Sequence, residues 1–105
     1  VRYRWNSGTP QVQIQVGNNT NNNPWTNITN GVSNRIEVVW QASGTLQLYV
    51  GAATTASQSL TFNATNSTVA SFRLGSVISG SNTATQVEYF DAFSAKRSVT
   101  PLYGQ

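Results

Sequence analysis

The stretch from residue 35 to residue 50 constrains the fold more than any other part of this chain. Arg35 to Gln41 places Ile36, Val38 and Trp40 on one side, and Thr45 to Val50 places Leu46, Leu48 and Val50 on one side. Such alternation marks a half-buried β-strand, because successive side chains of a strand point to opposite faces. Ala42-Ser43-Gly44 joins the two runs and has the composition of a hairpin turn. A hairpin with one apolar face has to bury that face against something. The expectation is an all-β chain in which these six apolar residues share one buried face.

The rest of the sequence repeats the pattern at short intervals. Val1 to Trp5 puts Val1, Tyr3 and Trp5 on one face, and Gln11 to Val16 alternates Val12, Ile14 and Val16 with Gln11, Gln13 and Gln15. Asn6-Ser7-Gly8-Thr9-Pro10 between them reads as a turn, with glycine supplying positive φ and proline stopping the ladder. The Asn-rich run from Gly17 to Pro24 reads as a loop, Trp25 to Ile28 as a short strand, and Asn30-Gly31 as the turn that closes it. Ala52 to Ser59 is small and polar, a loop or weak edge strand, ahead of the apolar pair Leu60 and Phe62. Val69 to Leu74 and Val87 to Ser94 are further strands, followed by an irregular tail. No window holds a helical period. Trp5, Trp40, Phe72 and Phe93 are the expected core aromatics.

Composition narrows the functional classes. Charged residues are only 9% of the chain, whereas Asn, Ser, Thr and Gln supply 45 of its 105 residues. A surface solvated by amides and hydroxyls suits an exported β-protein, so a secreted or cell-surface location is expected. The 38% apolar content, arranged in alternation, argues against disorder. No charged, apolar leader is read at Val1, and no apolar run approaches the roughly 20 residues of a membrane helix, so a soluble chain without membrane insertion is expected. The six basic residues, Arg2, Arg4, Arg35, Arg73, Lys96 and Arg97, are scattered apart from two small pairs. Nucleic-acid binders cluster such residues, and no nucleic-acid partner is expected. In Arg2-Tyr3-Arg4-Trp5 the arginines fall on one side of the strand and the aromatics on the other.

In order and spacing, these segments resemble the closing half of a concanavalin A-like, or laminin G-like, jelly-roll module of bacterial surface proteins. Ile36-Glu37-Val38-Val39-Trp40 resembles its "IEV-W" strand, and Leu46-Gln47-Leu48-Tyr49-Val50-Gly51 its "G-L-LYVDG" strand, with Val50 where the family usually has Asp. Phe72-Arg73-Leu74-Gly75 resembles the "RLG" strand. Tyr89-Phe90-Asp91-Ala92-Phe93, closed by Lys96-Arg97-Ser98, resembles the family's ending. The resemblance implies one antiparallel β-sandwich domain over residues 1–105. It also implies a half-module, with strand edges and part of a sheet face left for a second copy to cover. A homo-oligomer is therefore expected.

The chemistry available is limited. There is no His and no Cys, which excludes a Ser-His-Asp triad, imidazole or thiolate metal sites and a disulfide framework. The three carboxylates are Glu37, Glu88 and Asp91. Glu37 and Glu88 fall on the polar phases of their strands, with Glu37 expected to pair with an arginine, and Asp91 reads as a structural acceptor near a strand end. Calcium needs six or more oxygens, usually with several carboxylates, so neither metal nor cofactor is expected. No enzymatic activity is expected. The aromatics remain as a ligand surface. Sugars stack their apolar faces on Trp and Tyr while amides bond their hydroxyls, and Trp25 beside Asn23 and Asn27 fits that description best. Tyr49, on the outward phase of its strand with Gln47 and Thr45, is the second aromatic candidate. Two readings follow: a non-catalytic extracellular recognition or adhesion module of lectin-like, carbohydrate-binding type, and a structural β-subunit that assembles with itself and takes no small ligand.

Overall fold

The computed structural model describes residues 1–17, 20, 22–63 and 94. The strands read at 69–74 and 87–94, with Phe72, Phe93, Glu88 and Asp91, lie outside the described residues. The chain divides into two units, Val1–Ser67 with Thr100–Gln105, and Thr68–Val99. All described strands belong to the first unit. They form two three-stranded antiparallel sheets, ordered β1-β2-β3 and β4-β5-β6, with no helix among the described residues.

In the first sheet, β1 (Arg2–Asn6) and β2 (Thr9–Gln13) make a hairpin in which Asn6 faces Thr9. Its two-residue loop has Ser7 at φ 47° and Gly8 at φ 83°. Positive φ at both positions matches the twist of the flanking strands, the property of a type I′ turn. The ladder was expected to stop at Pro10, yet it runs through, with Trp5 opposite Pro10. Along β2 the backbone groups alternate between neighbours. The Pro10 carbonyl accepts from Ile28 on the β3 side (2.9 Å), so the missing N–H of Pro10 points away from β1. β3 (Thr26–Asn27) is short and pairs Thr26 with Val12 and Asn27 with Gln11.

In the second sheet, β4 (Ile36–Gln41) and β5 (Thr45–Val50) form the hairpin expected from the sequence. Ile36 faces Val50, Val38 faces Leu48 and Trp40 faces Leu46, so all six apolar residues share one face. The loop closes through a Gly44 N–H to Gln41 C=O bond of 3.0 Å, with Gly44 at φ 93°, a conformation that favours glycine. β6 (Gln58–Thr61) adds Leu60 opposite Leu46 and Gln58 opposite Leu48.

The two sheets share a core. Val12 and Ile14 from the first meet Leu46, Leu48 and Leu60 from the second, with Val16, Ile28, Val50 and Phe62 packed around them. Burial follows sheet position. The central strands β2 and β5 supply most of the core, whereas Tyr3 and Trp5 on edge strand β1 remain 40% exposed. On edge strand β4, Ile36 and Val38 are 37% exposed and Trp40 is 36% exposed. The fully buried face expected for the hairpin, and the core positions expected for Trp5 and Trp40, are thus corrected: the phase is as read, but among the described residues β1 and β4 have a strand neighbour on one flank only, and their apolar side chains stay more than a third exposed. Trp40 does lie against Phe62, with ring centroids 4.1 Å apart.

One polar side chain crosses this core. Gln58 is 3% exposed and stands on the apolar face of β6. Its Oε1 accepts from the Ile14 N–H (2.9 Å), and its Nε2 donates to the Val12 carbonyl (3.0 Å) and to Thr26 Oγ1 (2.7 Å). The register of β3 would place Pro24 opposite Ile14. β2–β3 pairing ends before that position, and the Gln58 amide oxygen supplies the acceptor for the Ile14 N–H. A buried, unsatisfied N–H costs about 1–3 kcal/mol, and Gln58 relieves that of Ile14. Gln58→Glu keeps the acceptor but turns an oxygen toward the Val12 carbonyl, and is expected to cost about 2–4 kcal/mol at neutral pH. Burial would raise the introduced carboxyl above the ordinary value of about 4.3. Its neutral form, whose O–H can donate, is then favoured at low pH. The melting gap to the unmodified chain should narrow below pH about 4 and widen as pH rises. A gap independent of pH would show that the amide's donor does not hold β2.

Candidate functional site

The polar face of the first sheet is built by the alternation opposite to its core face. β1 contributes Arg2 and Arg4, β2 contributes Gln13 and Gln11 directly across from them, and β3 contributes Asn27 across from Gln11. Two rows of hydrogen bonds run over the strands. In one, Arg4 Nε donates to Gln11 Oε1 (2.7 Å) and Gln11 Nε2 donates to Asn27 Oδ1 (2.6 Å). In the other, Arg2 Nη1 donates to Gln13 Oε1 (3.4 Å), Gln13 Nε2 to the Asn23 carbonyl (2.6 Å), and Asn23 Nδ2 to the Ser59 carbonyl of β6 (2.8 Å). The second row therefore spans both sheets.

The loop before β3 delivers Trp25 to this face. The Asn23 N–H donates to the Thr20 carbonyl (3.0 Å), and Asn22 adopts φ 55°, a left-handed conformation that Asn tolerates better than most residues. Pro24 follows with its restricted φ, and Trp25 enters beside Asn27. The guanidinium carbons of Arg4 and Arg2 lie 4.3 and 5.2 Å from the centre of the Trp25 ring, within cation–π range. Trp25 is half-buried, and both arginines are exposed.

Trp25, Asn23 and Asn27, three of the four residues singled out from the sequence, are thus brought into one group. Tyr49 is not part of it. It lies in β5 of the other sheet, is 3% exposed, and its hydroxyl donates to Gln47 Oε1 (3.2 Å). Sequence reasoning missed Arg2, Arg4, Gln11 and Gln13. The signal was the arginine side of Arg2-Tyr3-Arg4-Trp5, which gains meaning only when β1 is laid beside β2 and β3. Glu37 lies on the face of β4 opposite Ile36 and pairs with Arg35 at 3.2 Å, as expected, but its side chain is largely buried and Oε1 has no partner. Among the described residues no group of three or more potential metal ligands comes together, and no helix is long and apolar enough to cross a membrane.

What the fold and the site define is a class: two small antiparallel sheets around a shared core, with a cationic, amide-lined aromatic face on one of them. No family model, curated protein or solved structure matches this chain.

The Arg4–Trp25 contact should be measurable. A double-mutant cycle with Arg4→Ala and Trp25→Leu is expected to give a coupling of about 0.5–1 kcal/mol in denaturant unfolding, the range of an exposed cation–π pair. Additive effects of the two changes would show that the ring and the guanidinium do not interact in solution.

Proposed function

We propose that this chain is a non-catalytic recognition module that binds carbohydrate on the polar face of β1-β2-β3. The observation that carries the reading is the group around Trp25: one half-buried indole flanked by two guanidiniums and four side-chain amides. Amides and guanidiniums match sugar hydroxyls, and an indole matches the apolar face of a pyranose. Catalysis finds little support in a chain without His or Cys whose described carboxylate, Glu37, is held by Arg35. Export to the cell surface and a place within a concanavalin-like jelly roll belong to the same reading. They are supported by the amide-rich, charge-poor composition and by two antiparallel sheets sharing a core. On a glycan array the unmodified chain is expected to retain defined oligosaccharides, and Trp25→Ala to lose at least about tenfold in affinity with its melting transition preserved, since stacking on a single aromatic can contribute on the order of 1 kcal/mol or more. Retention unchanged by Trp25→Ala would place the ligand elsewhere, and no retention at all would remove the reading.

A second reading, self-assembly into a homo-oligomer, is favoured by a different observation. Tyr3, Trp5, Ile36, Val38 and Trp40 lie on the apolar faces of edge strands and stay more than a third exposed. A stable interface over such strands should bury at least about 1,000 Å². Light scattering at micromolar concentration is expected to return a mass above the 11.4 kDa of one chain, and Val38→Lys to shift it downward. A single 11.4 kDa species across a dilution series would exclude assembly.

A further inference from the structure

We infer that the β1-β2-β3 face takes an acidic saccharide, its carboxylate or sulfate received by the guanidiniums of Arg2 and Arg4 and its hydroxyls by the neighbouring amides. The inference rests on the carbohydrate reading above and names the ligand class within it.

Charge is the first argument. Among the described residues Glu37 is the one carboxylate, and it is bonded to Arg35 on the other sheet. Arg2 and Arg4 are bonded instead to the neutral amides of Gln13 and Gln11. Two positive charges thus stand on one face, and among the described residues no acid is bonded to either. An anionic ligand would supply the missing partner.

The second argument is the direction of the hydrogen bonds. Gln11 Oε1, Gln13 Oε1 and Asn27 Oδ1 already accept from within the sheet. What the face has left over is chiefly donors. Arg4 spends only Nε on Gln11, leaving both Nη groups, the edge that grips a carboxylate or sulfate with two parallel bonds. Arg2 spends one Nη1 hydrogen on a long 3.4 Å bond. Asn27 accepts from Gln11 through Oδ1 and keeps its own Nδ2 donors. A donor-rich surface complements a ligand rich in oxygen and negative charge.

The third argument is preorganisation. The cross-strand bonds and the Trp25 ring hold the guanidiniums on strand scaffolding rather than on a loose loop, which lowers the ordering cost of binding. Both guanidiniums converge on the same indole. They form one anion site beside one stacking surface, suited to a single charged sugar unit. A nucleic-acid backbone would instead call for a longer basic track.

Calorimetric titration of the full chain tests this with matched probes: a neutral gluco-oligosaccharide, its glucuronate-containing counterpart, its sulfated counterpart, and a single-stranded oligonucleotide. At low salt the glucuronate or sulfated probe is expected to bind at least about tenfold more tightly than the neutral one. The preference should shrink as salt rises. Arg4→Gln should abolish the preference by weakening the acidic probes far more than the neutral one, and Arg4→Lys should keep the salt dependence but lose most of the preference, because an ammonium lacks the fork. Melting curves establish that each variant is folded, and the comparison of probes on the unmodified chain stands without them. Equal binding of neutral and acidic probes would overturn the inference and leave the carbohydrate reading intact. Failure to bind any saccharide would overturn both. Tighter, Arg4-dependent binding of the oligonucleotide would overturn the choice of a saccharide.

Discussion

The structure depends on the side-chain amide of Gln58 more than on any other single polar group. It stands where the apolar face of one sheet meets the backbone of the other, and it bonds Ile14, Val12 and Thr26 at once. Without it the Ile14 N–H, beyond the last β2–β3 pair, would lose its acceptor inside the core. The core residues that surround it, Val12, Ile14, Leu48 and Leu60, offer no alternative partner. Hydrophobic burial drives the two sheets together, each large aliphatic side chain contributing on the order of 2 kcal/mol, but it has no direction. The Gln58 bonds do, and they fix one strand against another.

The same device recurs wherever strand pairing runs out. Asn34 closes the 29–34 segment by accepting from the Thr29 N–H (2.9 Å) and donating to the carbonyls of Thr29 and Val32 (2.6 and 3.0 Å). Asn23 ties the loop before β3 to β6 through the Ser59 carbonyl. On the outer face of β4 and β5, Gln41 and Tyr49 both donate to Gln47. An amide carries a donor and an acceptor in the geometry of a peptide group, so it can extend a ladder with no charge to desolvate. A chain with 9% charged residues has few ion pairs to use, and amides take their place.

The face proposed to bind saccharide is a by-product of that arrangement. Cross-strand bonding that satisfies the glutamines and asparagines consumes their oxygens and leaves donors outward. Among the described residues Arg2 and Arg4 then bond to neutral amides, and both lie against the Trp25 ring. The site sits on strands whose opposite face is the core, so its geometry is set by the packing beneath it.

Alternation in the sequence determined β1, β2, β4 and β5, their inward and outward phases and the turns between them, because strand periodicity is a local property of the backbone. Ile36, Val38, Trp40, Leu46, Leu48 and Val50 share a face as their spacing required. Ser7-Gly8 and Ala42-Ser43-Gly44 turn where glycine allows positive φ. Trp25, Asn23 and Asn27 could be singled out because they lie within five residues of one another. The tertiary structure decided everything that depends on distant partners. β6 begins at Gln58, inside a stretch with no alternation to announce it, and Gln58 faces the core because its bonding partners lie 44 and 46 residues away. Pro10 stays within the ladder because its nitrogen faces away from β1. Trp5 and Trp40 stay more than a third exposed on β1 and β4, outer strands among the described residues, and strand order cannot be read from period. Arg2 and Arg4 join Trp25 only after three strands are set side by side. Local sequence chooses each strand's conformation and phase, but the neighbour that covers it is chosen by long-range packing, and that choice gathered Arg2, Arg4 and Trp25 on one polar strand face.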